Sequence, residues 1–260
     1  LKGMNLFNPR WSTKLRLTKV EVEYKLVLNT NDINRLPDDE IFNRLSSAMQ
    51  HDEVEYQHKE MNKLYSRHKA EHISHALYVC PECHSIDTFR AKGNSFACSK
   101  CNYDIHINYY GFFERISDGK LFFDNIRDWY YWEENWLLDD VTAKLNQNYK
   151  KAIFTDKSSK IYHAVEMDKT EFMGTADISL FIEHIEIKFV GKDEKWELNF
   201  DDLQTINPQV HEQLEIIYNN EAYMVFGNKP GVSALKWEVA LNAIWKKLGQ
   251  NQKLSVYIEQ

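Results

Sequence analysis

The sequence predicts an α+β protein assembled from several modules, and three observations carry that prediction. Two C-x-x-C pairs, Cys80/Cys83 and Cys98/Cys101, stand fourteen residues apart and hold every cysteine of the chain. A segment rich in tryptophan follows them with helical spacing. After residue 150 come short alternating runs that end in one amphipathic stretch. At 260 residues the chain exceeds the usual single core, so several small modules are expected, with boundaries near residues 35, 77 and 150.

Composition narrows the function classes. Apolar residues make up 43% and charged residues 27%, as in a folded globular protein, and the net charge of −7 leaves no overall footprint for nucleic acid. The first twenty residues differ, carrying Lys2, Arg10, Lys14, Arg16 and Lys19 without one acid. Arg10, Lys14 and Arg16 are therefore candidate contacts for lipid or substrate phosphates. No run of about twenty apolar residues exists, and no secretory signal is recognisable, so a cytoplasmic setting is expected.

In order along the chain, "VEVEYKLVL" (residues 20–28) alternates at first and then runs apolar, which predicts a strand that completes a sheet. Within residues 36–77, Pro37 at the first helical position, the acids Asp38, Asp39 and Glu40, and the repeat Ile41, Leu45, Met49 predict an amphipathic helix. Residues 51–75 are polar and histidine-rich, reading as one or two exposed linking helices. His68 and His72 have helical spacing but no carboxylate at a motif distance, so solvated surface histidines are the expectation.

Within residues 78–150, each C-x-x-C puts two thiolates on one knuckle, and Gly93-Asn94 supplies the turn that brings the pairs together. Cys80, Cys83, Cys98 and Cys101 thus predict a zinc ribbon. Two disulfides are the poorer alternative for a chain large enough to build a core without staples. Four cysteine ligands leave no open coordination position, so the Zn2+ would be structural. Trp129, Trp132 and Trp136 fall on one helical face. An interfacial membrane helix would place tryptophan so, but Asp128, Glu133, Glu134, Asp139 and Asp140 on the other face would be repelled by anionic lipid. Packing of the tryptophans against the ribbon is the expectation.

Residues 151–260 predict a meander of strands closed by a helix in "SALKWEVALNAIWKKLG". Trp237, Leu241, Ile244, Trp245 and Leu248 form its stripe, Ser233 its start and Gly249 its C-cap. Such a curled sheet plugged by a helix resembles a pleckstrin-homology or GRAM-type domain. Catalytic motifs are missing: there is no G-x-S-x-G, no glycine-rich phosphate loop and no H-E-x-x-H. His163 and Asp168 have H-x4-D spacing, yet they sit on a predicted strand with no preceding asparagine, and in a chain with ten histidines chance explains them.

The stretches "KGMNLFNPRWSTKLR", "EVEYKLVL", "LYVCPECHSIDTFRAKGNSFACSKCNY" and "LFFDNIRDWYYWEENWL" resemble the C-terminal extension of bacterial 1-acyl-sn-glycerol-3-phosphate acyltransferases of Gram-positive type. The resemblance covers at least residues 1–136. It implies that residues 1–35 are the last strand and tail of a catalytic domain whose Asn-His-x4-Asp and Phe-Pro-Glu-Gly motifs lie upstream, so no catalytic residue is expected in this chain. The implied role is an accessory region of an enzyme that converts lysophosphatidic acid to phosphatidic acid. Its partners would be its own upstream acyltransferase domain and an anionic membrane surface or another protein. The alternative is a zinc-ribbon adaptor that binds protein or nucleic acid; nucleic acid is disfavoured because the ribbon's own charges cancel before the thiolates are counted.

Overall fold

The computed structural model describes residues 1–166, 169–209, 213–227 and 232–254. Four helices open the chain: α1 (Met4–Phe7), α2 (Thr30–Arg35), α3 (Asp38–Met49) and α4 (Glu53–Glu60). Pro37 stands at the N-cap of α3, one position before its predicted place, and the three acids behind it fill the first turn. α3 buries none of its residues, and Phe42, Leu45 and Met49 stay exposed.

The strand expected over residues 20–28 does not form. A single bridge joins Lys2 to Glu21, and among the described residues no backbone hydrogen bond reaches residues 22–28. Val22, Tyr24 and Leu26 are 56%, 94% and 82% exposed. Alternation specifies a face, but a strand also needs a neighbour.

The segment before the ribbon is less helical than expected. Beyond α4, only a 3-10 turn at Ile73–His75 is regular. It is also no exposed spacer: the Leu64 N–H donates to Tyr109 at 2.6 Å and the Ala70 N–H to Gly93 at 2.9 Å, while Leu64, Ala70 and Ile73 are fully buried. Ala70 and Ile73 belong to the ribbon's core.

The ribbon is a four-stranded antiparallel sheet, β1 (Phe89–Lys92), β2 (Ser95–Cys98), β3 (Asp104–Ile107) and β4 (Phe113–Arg115), in sequence order. α5 (Ile126–Asn146) lies across it, started by Asn125, whose side chain accepts from the Asp128 N–H. Trp129 has no exposed surface. Phe89, Phe96, Tyr103, Phe113 and Phe123 surround it with ring centroids 5.4–5.9 Å away, and its indole N–H donates to the Val79 carbonyl at 3.1 Å.

The buried line of α5 is Trp129, Glu133, Leu137 and Val141. Glu133, expected on the solvent face, is wholly buried because it is one helical repeat from Trp129. Its Oε2 accepts from the backbone N–H groups of Tyr78 and Val79, both at 2.9 Å. Trp132 and Trp136 are half-buried beside His84.

Seven antiparallel strands follow: β5 (Phe154–Glu166), β6 (Lys169–Leu180), β7 (His184–Phe189), β8 (Lys195–Asn199), β9 (Leu203–Gln209), β10 (Gln213–Tyr218) and β11 (Glu221–Phe226), in the order β8-β7-β6-β5-β11-β10-β9. Three register shifts along the β5–β6 pair bend the long central strands. α6 (Leu235–Leu248) closes the curled sheet and ends at Gly249 in the left-handed region with φ 74°. Ala234 takes the N-cap position, while the Ser233 hydroxyl accepts from the Leu235 N–H at 3.3 Å and donates to the His75 carbonyl at 2.7 Å. This strand order with a closing C-terminal helix is the pleckstrin-homology-like arrangement. Leu137 and Val141 of α5 share one core with the sheet and with α6, so the ribbon and the β domain pack through a common helix.

Glu133→Ala would strand two buried N–H groups, so a loss of about 2–5 kcal/mol is expected in urea unfolding. Glu133→Gln keeps an acceptor and should lose less than half of that; equal losses in both variants would show that packing, not the carboxylate, matters here.

Candidate metal centre and the clasp beside it

Both cysteine knuckles are the same turn. The Cys80 carbonyl accepts from the His84 N–H at 2.8 Å, and the Cys98 carbonyl accepts from the Asn102 N–H at 3.0 Å. His84 and Asn102 each adopt positive φ, 56° and 61°, which carries the chain away from the sulfurs. Gly93, at φ 61° in the hairpin turn, lets β2 return the second knuckle to the first. Cys80 Sγ lies 3.6 Å from Cys101 Sγ and Cys83 Sγ lies 3.7 Å from Cys98 Sγ, with all four within 4.8 Å of one another. Metal–sulfur bonds of about 2.3 Å in a tetrahedron require edges of about 3.8 Å. Disulfides need sulfurs about 2 Å apart, so this arrangement suits a metal ion and not a pair of cystines.

The surrounding groups support thiolate at one position. Burial pushes the Cys98 thiol up, but the Thr88 hydroxyl at 3.1 Å and the N–H groups of Cys101 and Lys100 outweigh it and bring it to about 7. Burial pushes the Cys80 thiol up strongly. A metal held by four sulfurs has no open position for water or substrate, so such a centre would hold shape. A second cluster, His184, Glu186 and Glu197, also has convergent ligand atoms. The Lys195 ammonium already sits 2.8 Å from Glu186 and 2.7 Å from Glu197, which makes this an ion-pair network.

The three candidate phosphate contacts do not come together. Arg16 is 4% exposed; its guanidinium donates to the Lys69 carbonyl at 2.9 Å and lies over Trp11, and burial lowers its pKa to about 10. Arg10 donates to the Pro208 carbonyl at 2.9 Å, and both it and Lys14 are exposed. Arg16 is thus a structural side chain whose burial removes it from any phosphate. His163 contacts Glu221 at 2.7 Å and stacks on Tyr223, while Asp168 lies outside the described residues.

The sequence reading missed a buried clasp next to the ribbon. Lys236, without exposed surface, places Nζ 2.7 Å from Asp87 Oδ2, 2.8 Å from Asp156 Oδ1 and 3.0 Å from the Ser233 carbonyl. Trp237 donates its indole N–H to Asp156 at 2.7 Å, and the Ser233 N–H donates to Asp87 at 3.1 Å. One cation therefore joins the ribbon, β5 and α6. Its carboxylates stand far away in sequence, so no local pattern marks them.

No family model matches the sequence, and no curated protein matches it. Among solved structures, the solution structure of the N-terminal PH domain of human ARAP2 protein is similar at 14% identity, covering 39% of this chain and 90% of that chain with a TM-score of 0.30.

Cys98→Ser should lower the metal content measured by plasma mass spectrometry and remove the ribbon's cooperative melting, because metal binding and folding are coupled in such modules. Full metal content and unchanged melting would contradict this. A second expectation concerns pH. Burial, opposed by Lys236 and reinforced by Asp156, raises the Asp87 carboxyl to about 6. Between about pH 4 and that value the folded chain holds this proton more firmly than the unfolded chain, so the contribution of Asp87 falls as pH rises through the window. Asp87→Asn should gain on the wild type from pH 4 to 6.5 in urea unfolding, and a gap moving the other way would refute the assignment.

Proposed function

We propose that this chain is the accessory, docking region of a glycerolipid acyltransferase that makes phosphatidic acid from lysophosphatidic acid. One observation carries the docking part of this reading. Residues 22–28 have no backbone partner among the described residues, and beside them α3 leaves Phe42, Leu45 and Met49 uncovered. A shallow cavity between the two is lined by Leu26, Val27 and Ala48. An unpaired apolar segment next to an unburied amphipathic helix fits a two-layer α/β arrangement whose sheet another domain would supply. The sequence resemblance names that domain as the acyltransferase.

The remaining modules fit a supporting role. The four-cysteine centre holds structural zinc, as its closed thiolate set favours, and fixes the ribbon on which α5 rests. Catalysis belongs to the upstream domain, and this region acts on the cytoplasmic side by positioning that domain near its membrane substrate. Among the described residues no helix is long and apolar enough to cross a membrane, so an association with lipid would be peripheral.

The test mixes the purified chain with an acyltransferase domain of the resembled family and measures binding by calorimetry. A complex of equal stoichiometry is expected, weakened about tenfold or more by Tyr24→Asp combined with Phe42→Asp. Absence of any complex with the wild-type chain would remove the reading, while the zinc content, measured separately, would stand or fall independently.

A further inference from the structure

The charge of this chain is distributed against its total. Residues 14–19 and 61–70 carry Lys14, Arg16, Lys19, Lys63, Arg67 and Lys69 without one acid, in a chain whose net charge is −7. The fold brings these two segments together and sets the uncharged residues 107–110 against them. Leu17 and Tyr65 exchange backbone hydrogen bonds as an antiparallel bridge, and the Leu64 N–H donates to the Tyr109 carbonyl.

Alternation then sorts the side chains. Arg16 and Leu64 turn inward and are buried, so the residues on either side of each point the other way. Opposed residues of an antiparallel pair share a face, which puts Leu17 beside Tyr65. Leu15, Leu17, Tyr65 and Tyr109 are all more than half exposed. Lys14, Lys63 and Arg67 are exposed along the same segments and form no ion pair among the described residues, while Lys19 is held by Glu21. Beneath them the buried Arg16 and Lys69 give their hydrogen bonds to the neutral carbonyls of Lys69 and Ile107, and the Lys69 ammonium lies over the Tyr109 ring. Three acids stand within two residues of these segments: Glu21 and Glu71 are paired, with Lys19 and His68, and Glu60 is left to oppose the cations.

An apolar centre bordered by cations separates the possible occupants. On an anionic bilayer, leucine enters the acyl boundary and tyrosine rests at the headgroups, while lysine and arginine lay their stems along the apolar layer and set their charges on phosphate. The acidic remainder of the chain is repelled by the same surface, which turns this face toward the lipid. A nucleic acid would meet the cations but leave Leu15 and Leu17 against its phosphates, because neither offers a flat face on which a base stacks. We propose that the face built by Leu15, Leu17, Tyr65 and Tyr109, bordered by Lys14, Lys63 and Arg67, seats this chain on an anionic lipid surface. The face uses no residue of the β domain and none of the docking surface on residues 22–28 and α3. It rests on the accessory reading only for its meaning in the cell: lipid binding needs no second protein, so a missing complex with an acyltransferase domain would leave it standing.

The experiment sediments the purified full chain with vesicles of phosphatidylcholine alone and of equal parts phosphatidylcholine and phosphatidylglycerol. Binding to the mixed vesicles alone is expected, and it should weaken as salt rises. Leu15→Ser combined with Leu17→Ser, and Lys63→Glu combined with Arg67→Glu, should each weaken it about tenfold or more, with an unchanged melting temperature because all four side chains are exposed. Lys157→Glu combined with Lys192→Glu makes the same change of charge on exposed residues of the β domain and should cost about twofold or less. No binding to the mixed vesicles, or equal binding to both kinds, overturns the proposal. So does wild-type binding by the leucine variant, which would mark a contact made by charge alone, or a larger loss in the β-domain variant than in the Lys63 and Arg67 variant. A labelled single-stranded oligonucleotide that displaces the chain from the mixed vesicles, and binds the leucine variant as it binds the wild type, would assign the face to nucleic acid instead.

Discussion

The architecture turns on a single ammonium group. Lys236 is the second residue of α6, and its Nζ meets Asp87 of the ribbon and Asp156 of β5 with no surface exposed to solvent. Two carboxylates around one buried cation leave a net negative site, and the N–H of Ser233 and the indole N–H of Trp237 absorb that excess by donating to the same acids. Removing one member of such a set leaves the others buried and uncompensated, which is far more damaging than replacing the whole set. The clasp therefore fixes where α6 begins. That in turn fixes how α6 lies on the sheet and against α5.

α5 is the second organising element, because its two ends serve different cores. Trp129 fills the centre of the ribbon's aromatic cluster, while Leu137 and Val141 sit in the core of the β domain. Glu133 stands between these ends and holds the chain at Tyr78 and Val79, immediately before Cys80. The metal centre is thereby tied to the helix by two hydrogen bonds from the residues that lead into the first knuckle. A small ribbon gains from this arrangement, since the apolar area it can bury by itself is modest.

Much of this was legible in the sequence, for identifiable reasons. The cysteine spacing fixed both knuckles because a thiolate knuckle is a local structure set by four or five residues. The segment after residue 150 carried periods of two and of about four, and a meander with α6 formed, although the apolar run over residues 178–190 divides between β6 and β7 and β9 carried no alternation that marked it. Glu133 could have been found: positions 129, 133, 137 and 141 repeat at helical spacing, and attention to the tryptophans at 132 and 136 hid that line. The clasp could not, since Asp87 and Asp156 are distant from Lys236 and nothing local pairs them. Arg16 failed for the same reason; a basic stretch looks solvated until Lys69 and Trp11 fold over it. The segment at 20–28 shows the reverse case, in which the pattern of a strand is present and no neighbour pairs with it among the described residues.

That uncovered segment bears on how long such a chain survives in a cell. Proteases and chaperones bind unpaired backbone with exposed apolar side chains, and Val22, Tyr24 and Leu26 present both. A copy in which this segment stays uncovered would carry a mark for degradation, however firmly the ribbon and the β domain are folded. Covering residues 22–28 would then raise the number of intact copies.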